Sequence, residues 1–305
     1  MHVSNRGNLT AATNVDVIES KKINHILTID SCPLPRKITE LNNLKTMFIQ
    51  VTDTPREDLL SHFEETYHFI QEGVKNGTVL VHCYFGVSRS ATIIIAYLMK
   101  KHRMSVQEAF ELAKSKRRFI GPNPGFMAQL QLFEVMDFTI DKSNLQYKMF
   151  RLYIAADRIV KTKILPQCCA DVVKPDPSVT TVQPDPRVYR CKKCRKIVAT
   201  ASNIIPHISK QKYSWRDKRY SEEIDAKDFC DKIYFVEPLA WMQTVSIQLE
   251  GKLYCPNVNC KHKLGSYSWT MGCLCPCGTK VSPAFYLVPS KVDKGNFVQN
   301  VQVTV

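Results

Sequence analysis

The chain has 305 residues, 44% of them hydrophobic and 23% charged, with a formal net charge of +14. That composition excludes a disordered or fibrous chain and suits about two domains of roughly 150 residues. The longest apolar run, Ala91–Met99 interrupted by Thr92, falls short of the ~20 residues of a membrane helix, and the Met-His-Val-Ser-Asn-Arg-Gly start lacks the apolar core of a signal peptide, so a soluble intracellular protein with no membrane partner is expected.

Ile23–Asp30 and Thr46–Val51 are rich in β-branched and aromatic residues and are predicted strands. Glu57–Asn76 carries Leu59, Leu60, Phe63, Tyr67, Phe69, Ile70 and Val74 at helical spacing, and Asn76-Gly77 ends it. Thr78–His82 is a short buried strand, and Ser90–Lys101 a helix that is apolar nearly all round. Ser105-x-x-Glu108 is a capping box that opens a helix reaching about Arg118. A turn at Gly121–Gly125 precedes a helix over Phe126–Met136, and 137–160 continue as helix. Strands alternating with helices predict an α/β domain whose helices cover a sheet. Five prolines lie between Pro166 and Pro186, two Pro-Asp-Pro triplets among them, which is a semi-rigid linker composition. The expected organisation is therefore a first domain over 1–160, a linker over 161–187, a cysteine-bearing domain over 188–289 and a polar tail over 290–305. In the cysteine-bearing domain, Ile233–Val236, Val245–Leu249 and Ala284–Val288 read as short strands.

The stretch His82-Cys83-Tyr84-Phe85-Gly86-Val87-Ser88-Arg89-Ser90 follows a strand and precedes a helix. A loop at that junction can aim successive N–H groups at one point beside the positive end of the helix dipole, which favours an anion there. A thiolate at Cys83 would feel the same field. Arg89, six residues on, offers a planar fork for two phosphate oxygens. Gly86 permits a tight path, and the Ser90 hydroxyl is placed to hydrogen-bond a departing sulfur. These are the parts of phosphoryl transfer to a cysteine; the plainer alternative is a core cysteine with an incidental arginine. The chemistry also needs an acid for the leaving oxygen. Asp53, in the loop Val51-Thr52-Asp53-Thr54-Pro55 after a predicted strand, is the leading candidate, with an N-cap as its alternative role. Asp58 reads as a first-turn helix acid.

Of twelve cysteines only Cys32 and Cys83 lie in the first half. Cys191-x-x-Cys194, His207, Cys230, Cys255-x4-Cys260 and Cys275-x-Cys277 supply eight soft or borderline ligands, enough for two closed, structural Zn²⁺ sites in a small β-rich domain. Chain order groups Cys191, Cys194, His207 and Cys230 on one ion and Cys255, Cys260, Cys275 and Cys277 on the other, with Cys273 and His262 as rivals. Cys168 and Cys169 read as free thiols. Residues 151–305 hold 24 Lys/Arg against 13 Asp/Glu, whereas 1–150 hold 18 against 15. The surplus gathers at Arg190, Lys192, Lys193, Arg195 and Lys196 and at Lys210, Lys212, Arg216, Lys218 and Arg219. A polyanion such as RNA is the expected partner. Tyr213, Trp215 and Tyr220 are interleaved, either to stack on bases or as core aromatics.

His82–Ser90 resembles the His-Cys-x5-Arg-Ser/Thr loop of cysteine-based protein phosphatases, and Gly-x-Ser-Arg-Ser with an upstream Asp resembles their dual-specificity branch. The second half, through Tyr189–Cys194, Phe235–Met242, Lys263–Trp269 and Cys275–Gly278 with Ser282–Phe285, is similar to the zinc-binding domain of the dual-specificity phosphatase twelve subgroup. The resemblance implies the cysteine-phosphatase fold, with Cys83 as nucleophile, Arg89 as clamp, Asp53 as acid and base, and Ser90 as thiolate partner. It also implies phosphate held on the backbone of Tyr84, Phe85, Gly86, Val87, Ser88 and Arg89. The lysine-free loop and short domain imply phosphoprotein substrates carrying phosphotyrosine or phosphoserine/threonine. The resemblance further implies a role on large-subunit pre-ribosomes in nucleus and cytoplasm. The family has a strand before the region that aligns with Ser4–Leu9, and this chain starts almost inside that region, so a truncated N-terminus and an incomplete first sheet edge are expected.

Overall fold

The computed structural model describes residues 3–4, 7–179, 185–220 and 229–296. The chain falls into two units, 1–141 and 142–305. In the first, β1 (Val3–Ser4), β2 (Ile23–Asp30), β3 (Lys45–Gln50) and β4 (Thr78–His82) form a parallel sheet in the order β1-β4-β2-β3. The first sheet edge is thus present as a two-residue strand paired with Val79 and Leu80. Seven of the eight residues of β2 are buried, as a central parallel strand covered on both faces requires. Short helices α1 (Leu9–Ala12), α2 (Val15–Ser20) and α3 (Arg36–Thr39) enclose one small core, where Ile18, Ile26, Ile38 and Leu80 meet. The larger helices are α4 (Phe63–Asn76), α5 (Arg89–His102), α6 (Val106–Lys116) and α7 (Pro124–Val135). Helix α5 is buried at ten of its fourteen positions, which explains its apolar sequence. The Ser105/Glu108 capping box closes as expected.

Two boundaries differ from the sequence-based expectation. Helix α4 begins at Phe63, not Glu57, because the buried Gln129 side chain takes the N–H groups of Leu59 and Leu60, each at 2.9 Å, and donates to Glu57 O at 2.8 Å. Those bonds hold 57–60 outside the helix and just beyond the Asp53 loop. The helix expected over 137–160 is interrupted, since Asp137 and Phe138 both take left-handed backbone (φ 52° and 59°), which ends α7. A new helix, α8 (Leu145–Thr162), starts with Asn144 as its cap.

Helix α8 lies in the second unit, where Gln146 donates to Trp215 O at 2.8 Å and Phe150 packs edge-on against Trp215. Much of the proline-rich stretch packs there too. Cys169 and Val172 are buried, and Lys174 exchanges backbone bonds with Pro238 and Ala240. Residues 180–184 of the expected linker lie outside the described residues. Strands β5 (Arg187–Cys191), β6 (Ile197–Thr200) and β13 (Val292–Asn296) make one sheet. Strands β7 (Tyr234–Phe235), β12 (Ala284–Leu287), β9 (Lys263–Ser268) and β8 (Glu250–Tyr254) make a second, in that order. A ribbon of β10 (Cys273–Leu274) and β11 (Lys280–Val281) completes the unit. The start of the expected tail is therefore a strand, paired with β5 in antiparallel register; residues 297–305 lie outside the described residues. Val245–Leu249 forms turns rather than a strand, because Thr244 O accepts the N–H groups of Ile247 and Gln248. Trp269, Tyr267 and Phe285 are each at most 2% exposed and pack on one another.

Candidate functional site

Cys83 leaves the end of β4 with its side chain 1% exposed. Its Sγ lies 3.3 Å from Ser90 Oγ and receives the Gly86 N–H at 3.2 Å, so the loop closes on the sulfur. Gly86 has φ +70°, and an added Cβ would stand 2.3 Å from Gly7 O; both facts demand glycine here. The segment before α1 buttresses the loop, through Cys83 N–H to Gly7 O and Leu9 N–H to Tyr84 O. His82 is fully buried and bonds Thr28 through Nε2 at 2.8 Å. Burial pushes its imidazole down to about 4, so it is a neutral strut near pH 7.

Arg89 opens α5 and is 5% exposed. Its Nη1 donates to Asp30 Oδ1 at 2.7 Å and to Val51 O at 3.2 Å, while Nε lies 3.7 Å from Asp53 Oδ2. Among the described residues Nε has no hydrogen bond, and a buried charged donor left open is a place for an incoming anion. Asp53 is brought to the same point. Its Oδ1 accepts Ser88 Oγ at 2.7 Å and Asn123 Nδ2 at 2.9 Å. Asn123 also caps α7 and donates its own N–H to Ser88 Oγ at 3.1 Å. Asp53 therefore caps no helix, and Asp58 instead holds Ser61. Of the residues expected at this loop, Ser90 and the Gly86 N–H meet Cys83 Sγ, and Arg89 and Ser88 meet Asp53. Asp30 and Asn123 are not among the residues that the sequence alone points to, and Ser88 is there only for its backbone. Asp30 ends a strand 59 residues from Arg89, which leaves no local signal. Asn123 carried one, since Asn-Pro at a helix start is a recognisable cap, but its second bond was not legible.

The cysteine-rich segment brings together all eight expected ligands in two groups of four, within each of which the ligand atoms lie within 4.8 Å of one another. The grouping differs from chain order: Cys191, Cys194, Cys255 and Cys260 form one cluster, and His207, Cys230, Cys275 and Cys277 the other. Chain order failed because the turn after β5 faces the turn between β8 and β9, whereas the β10–β11 turn faces His207 and Cys230. Sulfurs of Cys191 and Cys260 lie 3.8 Å apart, those of Cys194 and Cys255 3.5 Å, and those of Cys230 and Cys275 3.7 Å. His207 Nε2 lies 3.4 Å from Cys277 Sγ. A tetrahedral ion with ~2.3 Å metal–sulfur bonds spaces its sulfurs about 3.8 Å apart, far from the ~2.05 Å of a disulfide. The clusters fit metal ions. Cys273 and His262 belong to neither cluster, and His262 offers its carbonyl to the Cys255 N–H instead. Trp215 and Tyr220 are 6% and 5% exposed, which corrects the stacking option: they are core aromatics. Among the described residues no helix is long and apolar enough to cross a membrane.

Residues 7–136 match the family described as dual specificity phosphatase, catalytic domain. The Drosophila melanogaster dual specificity protein phosphatase MPK-4 is 42% identical over 98% of this chain and 88% of its own length. The Homo sapiens dual specificity protein phosphatase 12 is 32% identical over 94% of this chain and 85% of its own. The Saccharomyces cerevisiae tyrosine-protein phosphatase YVH1 is 31% identical over 81% and 77%.

Proposed function

Because the chain belongs to the dual-specificity protein phosphatases, we propose that Cys83 is the nucleophile of a two-step hydrolysis of phosphotyrosine and phosphoserine/threonine in proteins. In the first step the Cys83 thiolate attacks phosphorus, the S–P bond forms and the P–O ester bond breaks. Asp53, as the acid, gives its proton to the departing phenoxide or alkoxide. The non-bridging oxygens rest on the backbone N–H groups of Tyr84, Phe85, Gly86, Val87, Ser88 and Arg89, with the Arg89 guanidinium across from the sulfur. In the second step the Asp53 carboxylate takes a proton from water, the water oxygen attacks phosphorus, and the S–P bond breaks. Ser90 then donates to the returning thiolate. The observation that carries this reading is the convergence of the Gly86 N–H and the Ser90 hydroxyl on Cys83 Sγ, with the open Arg89 Nε–H. Asp30 and Asn123 act as positioning residues, one aligning Arg89 and the other Asp53. Cys83→Ser should abolish phosphate release with an unchanged melting temperature; full activity in that variant removes the enzyme reading.

We also propose that the two clusters hold structural Zn²⁺, and that the second unit docks the enzyme on an RNA-rich particle, the large-subunit pre-ribosome, in nucleus and cytoplasm. Support comes from charge. Residues 142–305 carry 26 Lys/Arg against 13 Asp/Glu, and Lys192, Lys193, Lys210, Lys212, Arg216 and Arg219 are exposed; the side chain of Lys218 lies outside the described residues. Seven thiolates and two Zn²⁺ leave this surplus strongly positive. The full chain should co-sediment with pre-60S particles and dissociate steeply with salt. Release unaffected by Lys192→Glu/Lys193→Glu and by salt would count against this docking. Binding is the main alternative to catalysis as the role the cell depends on. If Cys83→Ser rescues ribosome assembly in cells lacking the protein, binding is what the cell requires.

A further inference from the structure

Exposed apolar side chains scattered singly carry no message, but three exposed aromatics on two segments tied together at the Cys83 loop do. Tyr84, Phe85 and Phe119 are 53%, 71% and 81% exposed, and the first two pack edge to face at 4.8 Å. Phe119 belongs to the segment between α6 and α7, and that segment is tied to the loop on both sides of it. Arg117 Nη2 donates to Phe85 O at 3.1 Å, and the Gly121 N–H donates to Val87 O at 2.9 Å. Any side chain at Gly86 would come within 2.6 Å of the same Arg117 nitrogen, so the two segments are in tight contact. The opposite border, at Asp53 and Thr54, is polar and exposed. Cys83 and Arg89 lie beneath, nearly inaccessible, so a phosphoester seated on them leaves the pocket across one of these borders. Exposed as it is, Phe119 contributes little to folding, and its ring has apolar area to offer only to something that arrives.

We infer that Phe119, with Phe85 and Tyr84, forms an aromatic lip that selects phosphoproteins carrying an apolar side chain next to the phosphorylated residue. The inference rests on the phosphatase reading of the Cys83 loop. An apolar neighbour of the phosphorylated residue would cover ring area on this lip, whereas a polar one would strip it of water with no return.

The test compares three substrates on the full chain: p-nitrophenyl phosphate, a phosphotyrosine peptide flanked on both sides by Leu, and the same peptide flanked by Ser. The wild type should favour the Leu peptide by about tenfold in kcat/KM, mostly through KM. Phe119→Ala should bring that ratio close to one and leave p-nitrophenyl phosphate turnover unchanged, while Phe119→Leu should restore most of the preference. Equal rates on the two peptides in the wild type, an unchanged ratio in Phe119→Ala, or an equal fall on all three substrates in that variant would each overturn the lip. A wild type that hydrolyses none of the three overturns the phosphatase reading instead.

Discussion

Asp53 is held by Ser88 and Asn123 on one oxygen and lies near Arg89 with the other, which suits the acid and base role proposed for it. Asp53→Asn should lower kcat/KM on a phosphothreonine peptide by about 10²–10⁴. The loss on p-nitrophenyl phosphate should be much smaller, because nitrophenolate leaves with little help from an acid. Equal losses on both, measured by steady-state phosphate release, would make Asp53 a positioning group rather than the acid. His82 gives a pH signature of another kind. Its folded value, about 4, lies below the ordinary 6.5 because of burial, so the unfolded chain binds the extra proton between those limits. Stability is therefore full above pH 6.5 and falls as the pH drops toward 4, by up to roughly 3 kcal/mol. Burial lowers His25 as well and adds in the same direction. Urea denaturation of His82→Gln should show a flatter acid limb between pH 6.5 and 4 than the wild type; parallel limbs would contradict the assignment.

At the level of elements, the crossed Cys/His clusters join turns distant in sequence. One cluster gathers its ligands from two separate stretches of the second unit and the other from three, so under the proposed metal reading losing one ligand should release one ion and untie the stretches it joins. Metal analysis should find two zinc ions per chain. Cys191→Ser with Cys255→Ser should lose one ion, since both serve one site, and Cys191→Ser with Cys230→Ser should lose both. The grouping by chain order gives the opposite pattern. Gln129 is the corresponding pin in the first unit. Gln129→Leu leaves the Leu59 and Leu60 N–H groups buried and unpaired and should cost about 2–4 kcal/mol, read as a lowered denaturation midpoint. These two features mark the limit of what the sequence discloses. Strands β2 and β4, the capping box and the eight Cys and His side chains that cluster were legible, because alternation, Ser-x-x-Glu and close Cys pairs are local signals. The partner of each Cys pair, the late start of α4 and the membership of α8 in the second unit were not. Each of those is decided by contacts spanning about 60 residues or more: Cys194 with Cys255, Leu59 with Gln129, and Gln146 with Trp215.

Across the whole molecule, charge and chemistry are divided. Residues 1–141 hold 16 Lys/Arg against 15 Asp/Glu and contain the Cys83 loop, while residues 142–305 hold nearly all the positive excess and both Cys/His clusters. The first unit has its own sheet and core and no cluster ligand, so chelation should strip the second unit of structure while p-nitrophenyl phosphate turnover persists. Loss of turnover in step with zinc release would contradict that independence. The central claim, that phosphate passes through Cys83, is tested most directly by acid-quenching the full chain milliseconds after mixing with a phosphotyrosine peptide, followed by mass spectrometry of the fragment bearing Cys83. A phosphate adduct is expected on that residue and none in Cys83→Ser, and with p-nitrophenyl phosphate, whose leaving group needs little help from an acid, the adduct should be more abundant in Asp53→Asn. Multiple turnovers with no adduct at any quench time, together with undiminished turnover in Cys83→Ser, would contradict it.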